Sequence, residues 1–125
     1  MATLTPTFTL TSTDITSDEL SFSKTDTLTA NGSVEFKRLD LDGTNTKLIL
    51  DASALAASYV WLYNTDGSQT ITIGEDAAEA AEAMDSTHLT LAPYEFAWLP
   101  WDSTVDLYAD TSSACKLEIG IFEKS

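Results

Sequence analysis

Five segments in the second half of the chain read as short apolar strands, Tyr59–Tyr63, Gln69–Ile73, His88–Leu91, Phe96–Trp101 and Cys115–Phe122, and Tyr59–Tyr63 and Phe96–Trp101 carry apolar residues on both faces. An antiparallel strand with one face in water alternates apolar and polar residues, so a strand apolar on both faces requires a second cover. That cover is another layer of the same chain or another subunit. The pattern predicts a chain built to pack and assemble, because almost no catalytic equipment lies among these strands.

At 125 residues the chain is read as one domain, 1–125, large enough to bury roughly two-thirds of its unfolded surface. The single Cys115 cannot close an internal disulfide, and no Cys-x-x-Cys pair suggests a zinc knuckle. The fold must stand on packing. Met1–Phe8 has neither a cationic start nor a continuous apolar stretch, and no run approaches the roughly 20 apolar residues that cross a bilayer. The expectation is a soluble protein made in a cytosol.

Six Lys+Arg against 20 Asp+Glu give a formal net charge of −14. Nucleic-acid binding draws most of its affinity from cations that neutralise phosphates, so DNA, RNA and anionic membranes are not expected partners. The same surplus keeps a sticky β-rich surface soluble and discourages edge-to-edge pairing.

The first third is rich in Thr and Ser yet alternates, with Leu4, Phe8 and Leu10 on one face and then Leu20, Phe22 and Leu28. Threonine favours strands, so these segments are predicted as strands with a wet face. Asn31-Gly32 reads as a hairpin turn leading into Val34 and Phe36. Asp42-Gly43 marks another turn, Asp51–Ser58 a helical turn, and Asn64–Ser68 a loop whose flanking strands would form a hairpin. Glu75–Met84, rich in Ala and Glu, is predicted as one short helical or loop insert. Eight or nine short strands without crossover helices predict an all-β antiparallel two-sheet β-sandwich, jelly-roll-like in winding.

The chemical inventory is thin. Phosphate-binding glycine loops, the Gly-x-Ser-x-Gly elbow and His-Glu-x-x-His are absent from the sequence, and one histidine does not furnish the cluster of a metal-dependent jelly roll. No catalytic, cofactor-binding or metal-binding residue is assigned, and no cofactor is expected. His88, out of phase with Leu89 and Leu91, is read as a solvated or edge histidine. Cys115, in phase with Leu117, Ile119 and Ile121, is read as a buried, inert thiol. Asp40–Asn45 departs from the spacing of a calcium loop and is read as a β-turn, and the acids of Glu75–Glu82 as a charged face in water. A glycosidase pair of carboxylates would need a defined cleft that a sequence cannot show.

The aromatics carry the functional expectation. Tyr59, Trp61 and Tyr63 share one face of a strand, and Trp98 stands opposite Leu99 and Trp101. Some must be core, but a two-layer sandwich cannot enclose both faces of these strands, so Tyr59, Trp61, Tyr63, Trp98 and Trp101 are candidate interface residues. A sugar-binding platform is the competing use.

From Tyr59 to Glu123 the order of motifs resembles small phage virion proteins. A strand ends in Asn64-Thr65-Asp66 ahead of Ile71-Thr72-Ile73-Gly74, and Ala92-Pro93-Tyr94-Glu95 precedes Phe96-Ala97-Trp98-Leu99-Pro100. Leu107-Tyr108-Ala109-Asp110-Thr111 and Leu117-Glu118-Ile119-Gly120-Ile121 close the series. The resemblance implies a non-enzymatic jelly-roll decoration or cement protein. Such a protein is made in the host cytoplasm and binds the outer face of the head as a homotrimer, with the major capsid protein or another virion protein as partner. A tail or baseplate component is the alternative within that class, and a carbohydrate-binding module the alternative outside it.

Overall fold

The β-branched and aromatic runs become strands and the Asp, Gly and Ser clusters become connections in a computed structural model that describes residues 1–15, 17–76, 84–102 and 104–125. The Thr-rich first third supplies β1 (Ala2–Leu4), β2 (Thr7–Ser12) and β3 (Leu20–Thr25), followed by the long β4 (Leu28–Leu41) and by β5 (Lys47–Leu50). Then come β6 (Ser58–Asn64), β7 (Ile71–Glu75), β8 (Ser86–Leu91), β9 (Phe96–Trp101), β10 (Leu107–Thr111) and β11 (Cys115–Lys124).

One sheet has the order β1-β4-β11-β6-β9 and the second β5-β10-β7-β8, while β2 and β3 pair with each other. Every pairing is antiparallel. The chain is therefore an all-β, two-sheet β-sandwich.

Alternation decides what lies between the sheets. Val60 and Leu62 of β6 and Leu117, Ile119 and Ile121 of β11 meet Leu50, Ile71, Ile73 and Leu107 from the other sheet, all essentially inaccessible. Each such side chain contributes roughly 1.5–3 kcal/mol by leaving water. Among the described residues no buried side-chain nitrogen or oxygen lacks a partner.

The aspartates fix the turns. Asp42 Oδ1 accepts the N–H groups of Thr44 and Asn45 at 2.8 and 2.9 Å, and Lys47 Nζ lies 2.9 Å from Oδ2. The Asn45 amide, then Lys47 and Thr44, hold this carboxyl well below the usual range. Asp66 is likewise lowered, first by the Ser68 amide and then by Gln69. Asp51 is lowered by the Ser53 hydroxyl and amide. Asp40–Asn45 is thus the expected turn, with Gly43 at φ 78° supplying its left-handed residue.

Two expected hairpins are corrected. Asn31-Gly32 lies inside β4, where the pairing with β11 shifts register between Phe122 and Lys124, so Gly32 at φ 101° serves a bulge in a continuous strand. β6 and β7 do not pair, because Asn64–Ser68 carries the chain from one sheet to the other. The insert expected at Glu75–Met84 falls mainly on 77–83, outside the described residues; its flank Glu75 ends β7 as strand.

Pro93-Tyr94 forms the turn before β9, closed by Glu95 N–H to the Ala92 carbonyl at 3.0 Å. Tyr94 stands at φ 63°, which a side chain makes costly, where such a turn favours glycine. Tyr94→Gly is therefore expected to raise stability by about 0.5–1 kcal/mol, net of glycine's freedom when unfolded. Chemical denaturation measures it, and a loss would mean that the Tyr94 ring's contact over Gly67 outweighs the backbone strain.

Candidate functional site

The face of the five-stranded sheet turned away from the core is built by the same alternation that builds the core. Each inward Val60 or Leu62 leaves an outward neighbour, and these are Tyr59, Trp61 and Tyr63. Register then aligns three rows across the sheet. They are Val34, Phe122, Tyr59 and Pro100; Phe36, Gly120, Trp61 and Trp98; and Arg38, Glu118, Tyr63 and Phe96.

The rings touch one another. Tyr59 and Trp98 stack at 5.9 Å with 9° between planes, Trp61 meets Phe96 at 5.3 Å, and Trp98 meets Phe122 at 5.6 Å. Gly120 permits the middle row: a Cβ there would stand 3.0 Å from the Phe36 ring, so the ring lies across the strand. Two polar side chains engage the rings from within the face. Trp61 Nε1 donates to Glu118 Oε1 at 3.2 Å, and Lys124 Nζ lies 4.9 Å from the centre of the Tyr59 ring.

Much of this surface remains open to solvent. Phe36 is 61 % exposed, Phe96 54 % and Trp98 36 %. Contiguous exposed apolar surface of this kind marks an interaction site, while scattered single residues do not.

Four of the five candidate residues, Tyr59, Trp61, Tyr63 and Trp98, therefore share the outer face. Trp101 is placed on the other side of β9, packed against the core with its Nε1 donating to the Val105 carbonyl at 2.8 Å. Val34, Phe36, Phe96 and Phe122 join the face without having been singled out. Phe96 could have been, since it lies two residues from Trp98 and so in phase with it.

The titratable residues serve the framework. His88 on the edge strand β8 is exposed, with Nε2 2.7 Å from Glu75 Oε1 and its ring 5.6 Å from Trp101. Cys115 is only partly buried, less than expected; burial pushes its thiol up, and Sγ lies 3.7 Å from Thr111 Oγ1. A cleft of about 520 Å³ is lined by Glu75, Asp76, Asp85 and Asp106. Within it Asp76 Oδ2 accepts the buried Thr46 hydroxyl at 2.6 Å and Asp106 Oδ1 the Ala52 amide at 2.7 Å. Among the described residues, no group of three or more His, Cys, Asp or Glu is placed to hold a metal ion.

No family model matches the chain, and neither a curated protein nor a solved structure does.

Proposed function

We propose that the chain is a non-enzymatic structural protein of a phage virion, a decoration or cement protein that assembles as a homo-oligomer on the outside of the head and reinforces the shell. One observation carries the assembly reading: the core is complete between the two sheets, yet the outer face of the larger sheet presents an aromatic surface that no described residue fully covers. A sandwich serving only itself would keep that face polar.

The strand order supports a jelly-roll reading. β4-β11-β6-β9 lies over β5-β10-β7-β8, the four-over-four winding of two Greek keys found in viral capsid and lectin domains. The motif series from Asn64 to Ile121 supports a virion protein, and the net charge of −14 suits an outer surface away from packaged DNA.

The test adds purified chain to undecorated heads of the phage whose genome encodes it. Wild type is expected to co-sediment and to raise the heads' resistance to heat. Phe96→Ser/Trp98→Ser is expected to bind roughly 100-fold more weakly, as avidity from the oligomer is lost. Heads neither bound nor strengthened would overturn the reading, and binding to tails would favour the tail or baseplate alternative. The parallel Tyr59–Trp98 pair favours one second reading, a platform for a sugar ring. A glycan-array signal that Trp98→Ala abolishes would establish it.

A further inference from the structure

We propose that the β2–β3 hairpin is an exchange arm whose apolar face lies on the aromatic sheet face of a second copy of this chain, which returns its own arm in the same way. The inference rests on the assembly reading above and names the partner of that surface.

Register divides the arm into two unlike faces. Phe8 stands opposite Lys24, Leu10 opposite Phe22 and Ser12 opposite Leu20, so these share one side. Thr7, Thr9, Thr11, Ser21, Ser23 and Thr25 fill the other, where the Thr7 and Thr25 hydroxyls lie 3.1 Å apart. Phe8, Leu10 and Phe22 nevertheless remain 48, 48 and 49 % exposed. A hairpin of two strands is marginal in water without packing on something else, and these two strands join neither large sheet. Among the described residues the arm's apolar face is only partly covered, as is the sheet's.

Number and area point to a second copy. The arm is closed at its base by Asp26 N–H to the Pro6 carbonyl at 3.1 Å. There Phe8 and Lys24 form a groove of about 390 Å³ with Trp61, Phe96 and Trp98, while Leu10 and Phe22 further along stay half exposed. Each copy brings one arm and one sheet face, so an assembly of this chain matches them in number. With about 200 Å² per aromatic side chain, the arm offers on the order of 300 Å² and the sheet face on the order of 400 Å². Two reciprocal contacts then bury on the order of 1,400 Å², within the range of stable specific interfaces. Closed symmetry limits such an arm-on-face contact to a finite ring, of which the two-fold exchange is the smallest.

The experiment measures mass in solution by light scattering on the full chain. Wild type is expected at twice the chain mass of 13.5 kDa, with the dimer favoured by added salt that screens the repulsion. Phe8→Ser/Phe22→Ser removes the arm's apolar face and Phe96→Ser/Trp98→Ser the sheet's. Each is expected to run at a single chain mass while keeping wild-type circular dichroism, since all four side chains lie outside the core. Mixing the two variants is expected to restore an oligomer, because one still supplies a sheet face and the other an arm. A monomeric wild type, or variants that do not complement each other, would overturn the exchange. An oligomer that the sheet-face pair dissociates and the arm pair leaves intact would overturn it too, while sparing the assembly surface. If the sheet-face pair changes neither mass nor head binding, the assembly reading itself falls.

Discussion

Replacing Asn64 with alanine is expected to lower stability by about 4 kcal/mol, the largest effect of any single polar substitution in the chain, and to lower Tm by roughly 15 °C. Asn64 ends β6 with no accessible surface. Its Nδ2 shares two hydrogens among the carbonyls of Gln69, Leu91 and Ala92 at 2.7, 3.1 and 3.1 Å, and its Oδ1 accepts the Asp66 amide at 3.0 Å. One side chain thus ties the β6–β7 crossing to the turn before β9. Alanine removes that partner from three carbonyls and an amide; the Ala92 carbonyl keeps the Glu95 N–H, and each of the other groups left unpaired in this buried site costs its desolvation. Asn64→Asp separates hydrogen bonding from volume. A carboxylate there would face three carbonyl oxygens, so its folded pKa is raised. The stability of that variant is therefore greatest below the unfolded pKa of about 3.9 and lost as pH rises through the folded value. Denaturation at several pH values checks this, and a pH-independent loss for Asn64→Asp would contradict the three-carbonyl geometry.

The second large effect is expected from Gly74→Ala, at about 3 kcal/mol. Gly74 pairs with Tyr108 on one side and Thr87 on the other, beside the register shift that β7 makes against β8. A Cβ there would stand 1.9 Å from the Ser86 carbonyl oxygen and 2.9 Å from Met84 Sδ. The nearer atom is backbone, so β8 must move away, and the His88–Glu75 contact goes with it. Equilibrium unfolding together with amide exchange of β8 measures the cost. Unchanged stability and protection would mean that β8 does not approach β7 as closely as described.

What was legible in the sequence was alternation. Tyr59–Tyr63 and Phe96–Trp101 announced strands apolar on both faces, and the phase that sets Trp98 against Leu99 and Trp101 also separates the outward tryptophan from the inward one. Turn chemistry was legible as a change of direction and no further. Asn31-Gly32 satisfies a bulge as readily as a hairpin, because both need positive φ. Asn64–Ser68 marks a turn without saying that the next strand joins the other sheet. The arm was hidden for a similar reason: Phe8, Leu10 and Phe22 alternating with Thr and Ser describe an amphipathic strand, but sequence spacing does not tell whether its apolar face meets the core or solvent. Register across β4, β11, β6 and β9, which is non-local, is what gathers Val34, Phe36, Phe96 and Phe122 beside the candidate residues.

The central claim is that the aromatic sheet face is an assembly surface, and acrylamide quenching of tryptophan fluorescence across protein concentration tests it most directly. Trp98, exposed on that face, is expected to be quenched readily in dilute solution and to become protected as concentration rises or as heads are added, with Trp98→Phe losing the concentration dependence. Quenching that stays the same from dilute to concentrated protein, with and without heads, would contradict it.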